Sequence, residues 1–259
     1  MGLTLLLFAV SIHAIDLPKE IQICDNGNEW PPFTFYKRVD GKTTPELTGY
    51  SVEYIQTILK KAGLKPTITM LPWLRCQSMV TIGKYLMLLN ASENAERARD
   101  YLVSKPYYAA QGIYFYSASR PKPRIQTARD LLLRHTCGQM GYNYVSYGIR
   151  NEEIDTGTTT LPMTLEKLKL GNCDVVLARK EIAAGHVWIN GIDYTKDKNF
   201  GWGIMDGMKP SEFHMMVSKQ TPYAQALIEL INKGIDEMTG SGEVKKLEQK
   251  YLPKNDASQ

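Results

Sequence analysis

The sequence predicts an α/β protein of two lobes, on two observations. Strand-like and helix-like hydrophobic patterns alternate from Ile21 to Leu89, and after Tyr108 the alternation starts again. A chain of 259 residues is long enough for one large domain or two modest ones. Residues 21–24, Ile-Gln-Ile-Cys, form a short strand running into a loop from Asp25 to Phe33, where Pro31 and Pro32 stop it. In residues 51–62, Val52, Ile55, Ile58 and Leu59 recur at helical spacing, and Gly63 ends the helix. A strand over residues 67–70, a helix over 73–82 closed by Gly83 and an apolar strand over 85–89 then deliver the chain to Asn90. That order implies parallel pairing.

In the second half, residues 113–116 form a strand and Thr127 with Asp130 caps a helix through Arg134. Residues 137–140 form a strand ending at the Gly141-Tyr142 turn, residues 164–170 a helix stopped by Gly171, and residues 174–177 another strand. A last strand over 213–218 precedes the longest amphipathic helix, with Tyr223, Leu227, Ile231, Ile235 and Met238 on one face. Thr-Gly-Ser-Gly at 239–242 breaks that helix, and residues 243–251 form a final short one. With no low-complexity linker between the halves, strand-like crossings join the lobes.

Composition excludes several classes. A charged fraction of 22% and a hydrophobic fraction of 43% are those of a globular chain rather than a disordered or collagen-like one. The formal charge is +4, but lysines are spread among acids rather than gathered in a stripe, so no nucleic-acid partner is expected. The four histidines are scattered, no zinc-ligand spacing occurs, and G-x-S-x-G, P-loop and Rossmann patterns are missing; neither metal, cofactor nor catalytic residue is expected. An apolar run at residues 3–12 before His13-Ala14 has the form of a secretory signal peptide within residues 1–16. Export makes Cys24, Cys76, Cys137 and Cys173 disulfide candidates. Four cysteines allow three pairings; Cys137 and Cys173 sit in two expected strands of one lobe and are the favoured pair, leaving Cys24 with Cys76.

The segment from Asn90 to Tyr108 carries the candidate chemistry. Asn90 and Ser92 offer a small amide and hydroxyl, Arg97 follows five residues after Ser92, and Ser104-Lys105-Pro106-Tyr107 comes next. An arginine presents a planar fork that matches a carboxylate bidentately, while short hydroxyls and backbone N–H groups satisfy the remaining oxygens. Trp73 is either a pocket aromatic or core, and Arg75 either a second cleft cation or a helix-surface charge.

In this order, several motifs resemble the extracytoplasmic solute-binding proteins of family 3, the amino-acid-binding type associated with ABC importers. They are Trp30-Pro31-Pro32-Phe33 after the first strand, Gly49-Tyr50-Ser51-Val52 opening a helix, Glu96-Arg97 seven residues before Ser104-Lys105-Pro106-Tyr107, Gly171-Asn172-Cys173-Asp174-Val175-Val176, and Gly240-Ser241-Gly242 with Lys250-Tyr251. The resemblance covers residues 21–251 and implies a two-lobed type II periplasmic-binding-protein fold. Lobe 1 is then discontinuous, residues 17–108 and 212–253, lobe 2 is residues 112–207, two crossing segments form a hinge, and 254–259 is a tail.

The resemblance further implies a periplasmic monomer that binds a small polar or anionic solute, amino-acid-like or carboxylate-bearing, for an ABC permease or a membrane sensor. A dehydratase-like enzyme on the same scaffold is the alternative, with Glu93, Glu96 and Glu181 as acid–base candidates. Residue by residue, Trp30 matches the aromatic that stacks on the ligand, Asn90 and Ser92 match lobe-1 polar contacts, and Arg97 matches the carboxylate-binding arginine. Tyr142 stands at a lobe-2 turn where a small hydroxyl is usual. Arg179 stands five residues after Asp174, where an acid for the ligand's ammonium is usual. Either the ligand is not a standard α-amino acid, which like-charge repulsion favours, or Arg179 points away and another group such as Glu181 takes the amine. Were Arg75, Arg97 and Arg179 all to face the cleft, a ligand with two carboxylates would fit.

Overall fold

The computed structural model describes residues 16–252. The expected signal peptide, Asp16 excepted, and the tail at 254–259 lie outside the described residues. The chain begins with β1 (Glu20–Asn26), a hairpin of β2 (Phe35–Val39) and β3 (Lys42–Thr48), α1 (Tyr50–Lys61), β4 (Lys65–Leu71), α2 (Trp73–Thr81), β5 (Met87–Ser92), α3 (Ala95–Asp100), β6 (Tyr101–Val103) and β7 (Tyr108–Ala110). It crosses into β8 (Gly112–Ser117), α4 (Ala128–Leu132), β9 (Thr136–Gln139), β10 (Asp155–Thr158), α5 (Leu161–Lys169), β11 (Val175–Arg179), α6 (Lys180–Gly185), α7 (Val187–Asn190) and β12 (Phe200–Gly203). It returns through β13 (Ser211–Ser218) and ends in α8 (Ala224–Ser241) and α9 (Glu243–Tyr251).

Two sheets result. The first has the order β4-β1-β5-β13-β6, with β7 also on β13; β1 pairs in parallel with β4 and β5, and β13 runs antiparallel to β5. The second has the order β10-β9-β11-β8-β12, parallel around β9 and antiparallel at β8. Both faces of the first sheet are covered, so its strands are apolar on both sides and period two sorts the faces. Ile21, Ile23, Met87, Leu89, Met215 and Val217 join α1 and α8, while Cys24, Leu88 and Met216 join Trp73, Cys76 and Val80 of α2. In the second sheet Ile113, Phe115 and Val176 pack on Leu161, Leu165 and Leu168 of α5.

The disulfides pair Cys24 with Cys76 and Cys137 with Cys173, at Cα separations of 5.7 and 6.0 Å. Four of the differences from the sequence reading have a clear local cause. The hairpin β2–β3 turns at Asp40-Gly41, both at positive φ, a turn signal masked by weak alternation in charged strands. The helix α8 continues through Gly240 and stops at Gly242, because its buried face runs from Leu227 to Met238 and carries the following turn along. The helix α5 starts earlier, at Leu161, since the Thr160 hydroxyl accepts the Met163 N–H. Finally, β11 extends to Arg179, placing that residue at a strand end.

The Cys24–Cys76 bond pins the carboxyl end of β1 to α2 and closes a span of 52 residues. Replacing both cysteines with serine should lower stability by roughly 2–4 kcal/mol, seen as a reduced midpoint in denaturant unfolding. An unchanged midpoint would show that core packing alone fixes α2.

Candidate functional site

In both sheets the strand order reverses where a cleft can form. In the first, β1 leads outward to β4 and the chain returns across to β5; in the second, β9 leads outward to β10 and returns to β11. In open α/β sheets such switch points hold ligands beyond the carboxyl ends of the strands. Here those ends carry Asp25 and Asn26, Asn90 and Ser92, Gln139, and Ala178 and Arg179, and all of them line one interlobe cavity. Trp30, Trp73, Arg97, Tyr142, Tyr147 and Phe213 complete the principal lining.

Arg97 lies on α3, which is capped by the Asn94 side chain accepting the Arg97 N–H at 2.8 Å. Its guanidinium is buried, the residue 6% exposed, over the Trp73 ring at 5.7 Å. Nη1 donates to the Ser92 carbonyl at 2.8 Å, and Nη2 makes longer bonds to Gln77 Oε1 and the Gly141 carbonyl at 3.4 and 3.3 Å. Burial pulls the guanidinium pKa down to about 10. No carboxylate among the described residues lies within 4.0 Å of it.

Arg179 comes from the opposite lobe and also lines the cavity, at 7% exposure. Its guanidinium lies between the rings of Tyr147 and Phe213, at 5.4 and 5.9 Å. Nη2 donates to Ser146 Oγ at 3.0 Å and weakly to the Asn143 carbonyl at 3.5 Å, while buried Nη1 has no partner. Gly112 stands opposite Arg179 in the sheet; a Cβ there would come within 3.0 Å of Nη1, so the side chain folds over a glycine. Glu181, the alternative partner for an amine, lies outside the cavity lining. It is largely buried at the crossing and accepts the Gln111 N–H at 2.9 Å.

Asn90 differs from its expected role. It sits at φ 57°, a left-handed conformation that asparagine tolerates, and its side chain is committed within lobe 1. Its amide donates to Asp25 Oδ2 at 2.6 Å and Thr34 Oγ1 at 2.8 Å, while Oδ1 accepts the hydroxyls of Ser51, Tyr107 and Tyr108. It therefore orients Asp25 rather than offering a free amide. Asp25, fully buried, is the acid lining the cavity, and its place at the end of β1 gave no motif. Burial pushes its carboxyl up to about 6, opposed by hydrogen bonds from Thr34, the Asn26 amide and Asn90.

Trp30 presents its ring to the cavity, edge-on to Tyr142 at 5.1 Å, while its N–H donates to the Tyr108 hydroxyl. Ser92 is half of a lobe-to-lobe contact, its Oγ accepting from Asn143 Nδ2 at 3.1 Å. The Tyr142 hydroxyl accepts from Asn26 Nδ2 at 2.9 Å, and Trp73 Nε1 donates to the Gly141 carbonyl at 3.0 Å. The lobes therefore stand closed on each other. Gly141 has φ 75°, and a Cβ there would meet Leu74 at 2.7 Å, so only glycine lets this turn press on α2. Arg75 corrects one expectation: it lies on the exposed side of α2, because its neighbours Trp73 and Cys76 take the inward positions, and it does not line the cavity. Glu93 and Glu96 are exposed and also outside the lining. His135, Cys137 and Asp155 cluster elsewhere, but Cys137 is in a disulfide and Asp155 is paired with Lys167, so the trio offers no metal site. The sequence reading missed Asp25, Tyr147 and Phe213; Phe213 was legible only as the start of an apolar strand.

Residues 23–254 match the family described as bacterial extracellular solute-binding proteins, family 3. A probable histidine-binding protein of Campylobacter jejuni is 25% identical over 226 residues, covering 83% of this chain and 81% of the relative. The L-cystine-binding protein TcyJ of Escherichia coli K12 is 24% identical over 227 residues, covering 86% and 79%. The structure of a substrate-binding protein of an amino acid ABC transporter superposes with a TM-score of 0.70 at 22% identity, covering 90% of this chain and 98% of that one, a likeness of fold.

An acid whose pKa is raised by folding favours the native state when protonated, so Asp25 contributes stability at low pH that is lost as pH rises through about 6. The unfolding free energy of wild type relative to Asp25→Asn should therefore fall by roughly 2 kcal/mol between pH 4 and 7. A difference independent of pH in denaturant titrations would refute the burial of an ionising carboxyl.

Proposed function

The chain belongs to the bacterial extracellular solute-binding proteins, family 3, and on that premise we propose that its interlobe cavity takes a small polar or anionic solute, amino-acid-like or carboxylate-bearing, with a carboxylate on Arg97. The observation that carries this reading is a buried guanidinium that lines the cavity and meets only neutral oxygens. A carboxylate satisfies such a fork bidentately, and Trp73 beneath it excludes water. Trp30 and Phe213 give the solute apolar walls.

The solute is delivered to an ABC permease from the periplasm. The two disulfides suit that oxidising compartment, and among the described residues no helix is long and apolar enough to cross a membrane. One chain supplies both walls of the cavity, so the binding unit is a monomer. Closure follows the hinge mode, with residues 110–112 and 204–210 as the crossings.

Isothermal calorimetry against amino acids and simple carboxylic acids tests the reading. Arg97→Met should weaken any carboxylate that wild type binds by about 100-fold or more, the cost of two charge-assisted hydrogen bonds. Failure of wild type to bind any acid in such a panel would overturn it.

A further inference from the structure

The second guanidinium of the cavity sets the class of solute. We propose, resting on the reading above, that the solute is a small dicarboxylate without an ammonium group, one carboxylate on Arg97 of the first lobe and the other on Arg179 of the second.

Arg179 is more than nine-tenths buried, lines the cavity, and keeps Nη1 with no hydrogen-bond partner. Among the described residues no carboxylate lies within 4.0 Å of its guanidinium. Two aromatic faces, the Ser146 hydroxyl and, more weakly, the Asn143 carbonyl hold it in place, and none of them carries a negative charge. An ammonium in the cavity beside this guanidinium would be repelled, whereas an anionic oxygen there would be attracted by its charge. The acid of the cavity, Asp25, already accepts from the Asn26 amide and from Asn90, so its oxygens are turned inward to lobe 1. The two guanidinium groups come from opposite lobes, so a dianion ties them together and stabilises closure, whereas a monoanion engages one lobe only.

Three probe pairs isolate the groups: glutarate against glutamate for the ammonium, glutarate against butyrate for the second carboxylate, and succinate against aspartate as a shorter pair. In calorimetry, wild type should bind a dicarboxylate at least about 10-fold tighter than its amino-acid partner and than butyrate. Arg179→Met should lower the glutarate-to-butyrate affinity ratio of wild type to about 1, with Arg179→Gln as the alternative if the methionine variant does not fold by circular dichroism. Small-angle scattering should show compaction of the wild type with glutarate beyond that with butyrate. Tighter binding of glutamate than glutarate by wild type, or a glutarate-to-butyrate ratio unaltered in the Arg179 variants, overturns the dicarboxylate assignment while the Arg97 reading stands. Loss of all acid binding in wild type overturns both.

Discussion

Burying a guanidinium without a carboxylate is the constraint around which the cavity is arranged. Removing such an ion from water costs several kcal/mol even after local relaxation. Both arginines meet that cost by one device, a π face and neutral oxygens: Trp73 and the Ser92 carbonyl for Arg97, Tyr147, Phe213 and the Ser146 hydroxyl for Arg179. A cation over a ring gains roughly 0.5–2 kcal/mol, which falls short of the desolvation. Both guanidinium groups line the cavity. Stability is therefore given up at the site where an anion recovers it, which is the arrangement expected of a binding pocket rather than of a structural ion pair.

The floor of the first lobe is built to stay still while this happens. Asn90 joins Asp25, Thr34, Ser51, Tyr107 and Tyr108 through one amide, and Tyr108 passes the order onward. Its ring stacks between Phe33 at 3.8 Å and Phe213 at 4.8 Å, and its hydroxyl accepts the Trp30 N–H. The two apolar walls are thus fixed before any solute arrives. Ordering entropy that would otherwise oppose binding has already been lost in folding.

How much of this was legible follows from the range of each signal. The alternation of elements, the Thr127–Asp130 capping box and the helix stops are local, and they appear in the structure close to where the pattern put them. Arg97 stood out because its neighbours share its short segment. The role of Asn90 was not legible, because its partners are 17 to 65 residues away and only the sheet brings them together. Asp25 looked like the first residue of a loop, and its burial depends on β4 and β5 flanking it. Arg75 and Trp73, two residues apart on one helix, diverged because a helix turns about 100° per residue and only one face meets the sheet.

The Gly141 carbonyl shows how closure and binding coexist. It accepts from Trp73 at 3.0 Å and from Arg97 at 3.3 Å, so one lobe-2 oxygen touches both the aromatic base and the cation of lobe 1. On the proposed reading a carboxylate on Arg97 would compete with the longer of these two bonds, since an ionised acceptor is roughly twice as strong as a neutral one. The Trp73 bond is untouched by that exchange, because the indole N–H has no part in holding the anion. The turn at Gly141 therefore stays seated on α2 while the guanidinium fork changes partners. With the two contacts on separate side chains, the Trp73 bond would still hold the lobes together while a carboxylate replaced the Arg97 bond.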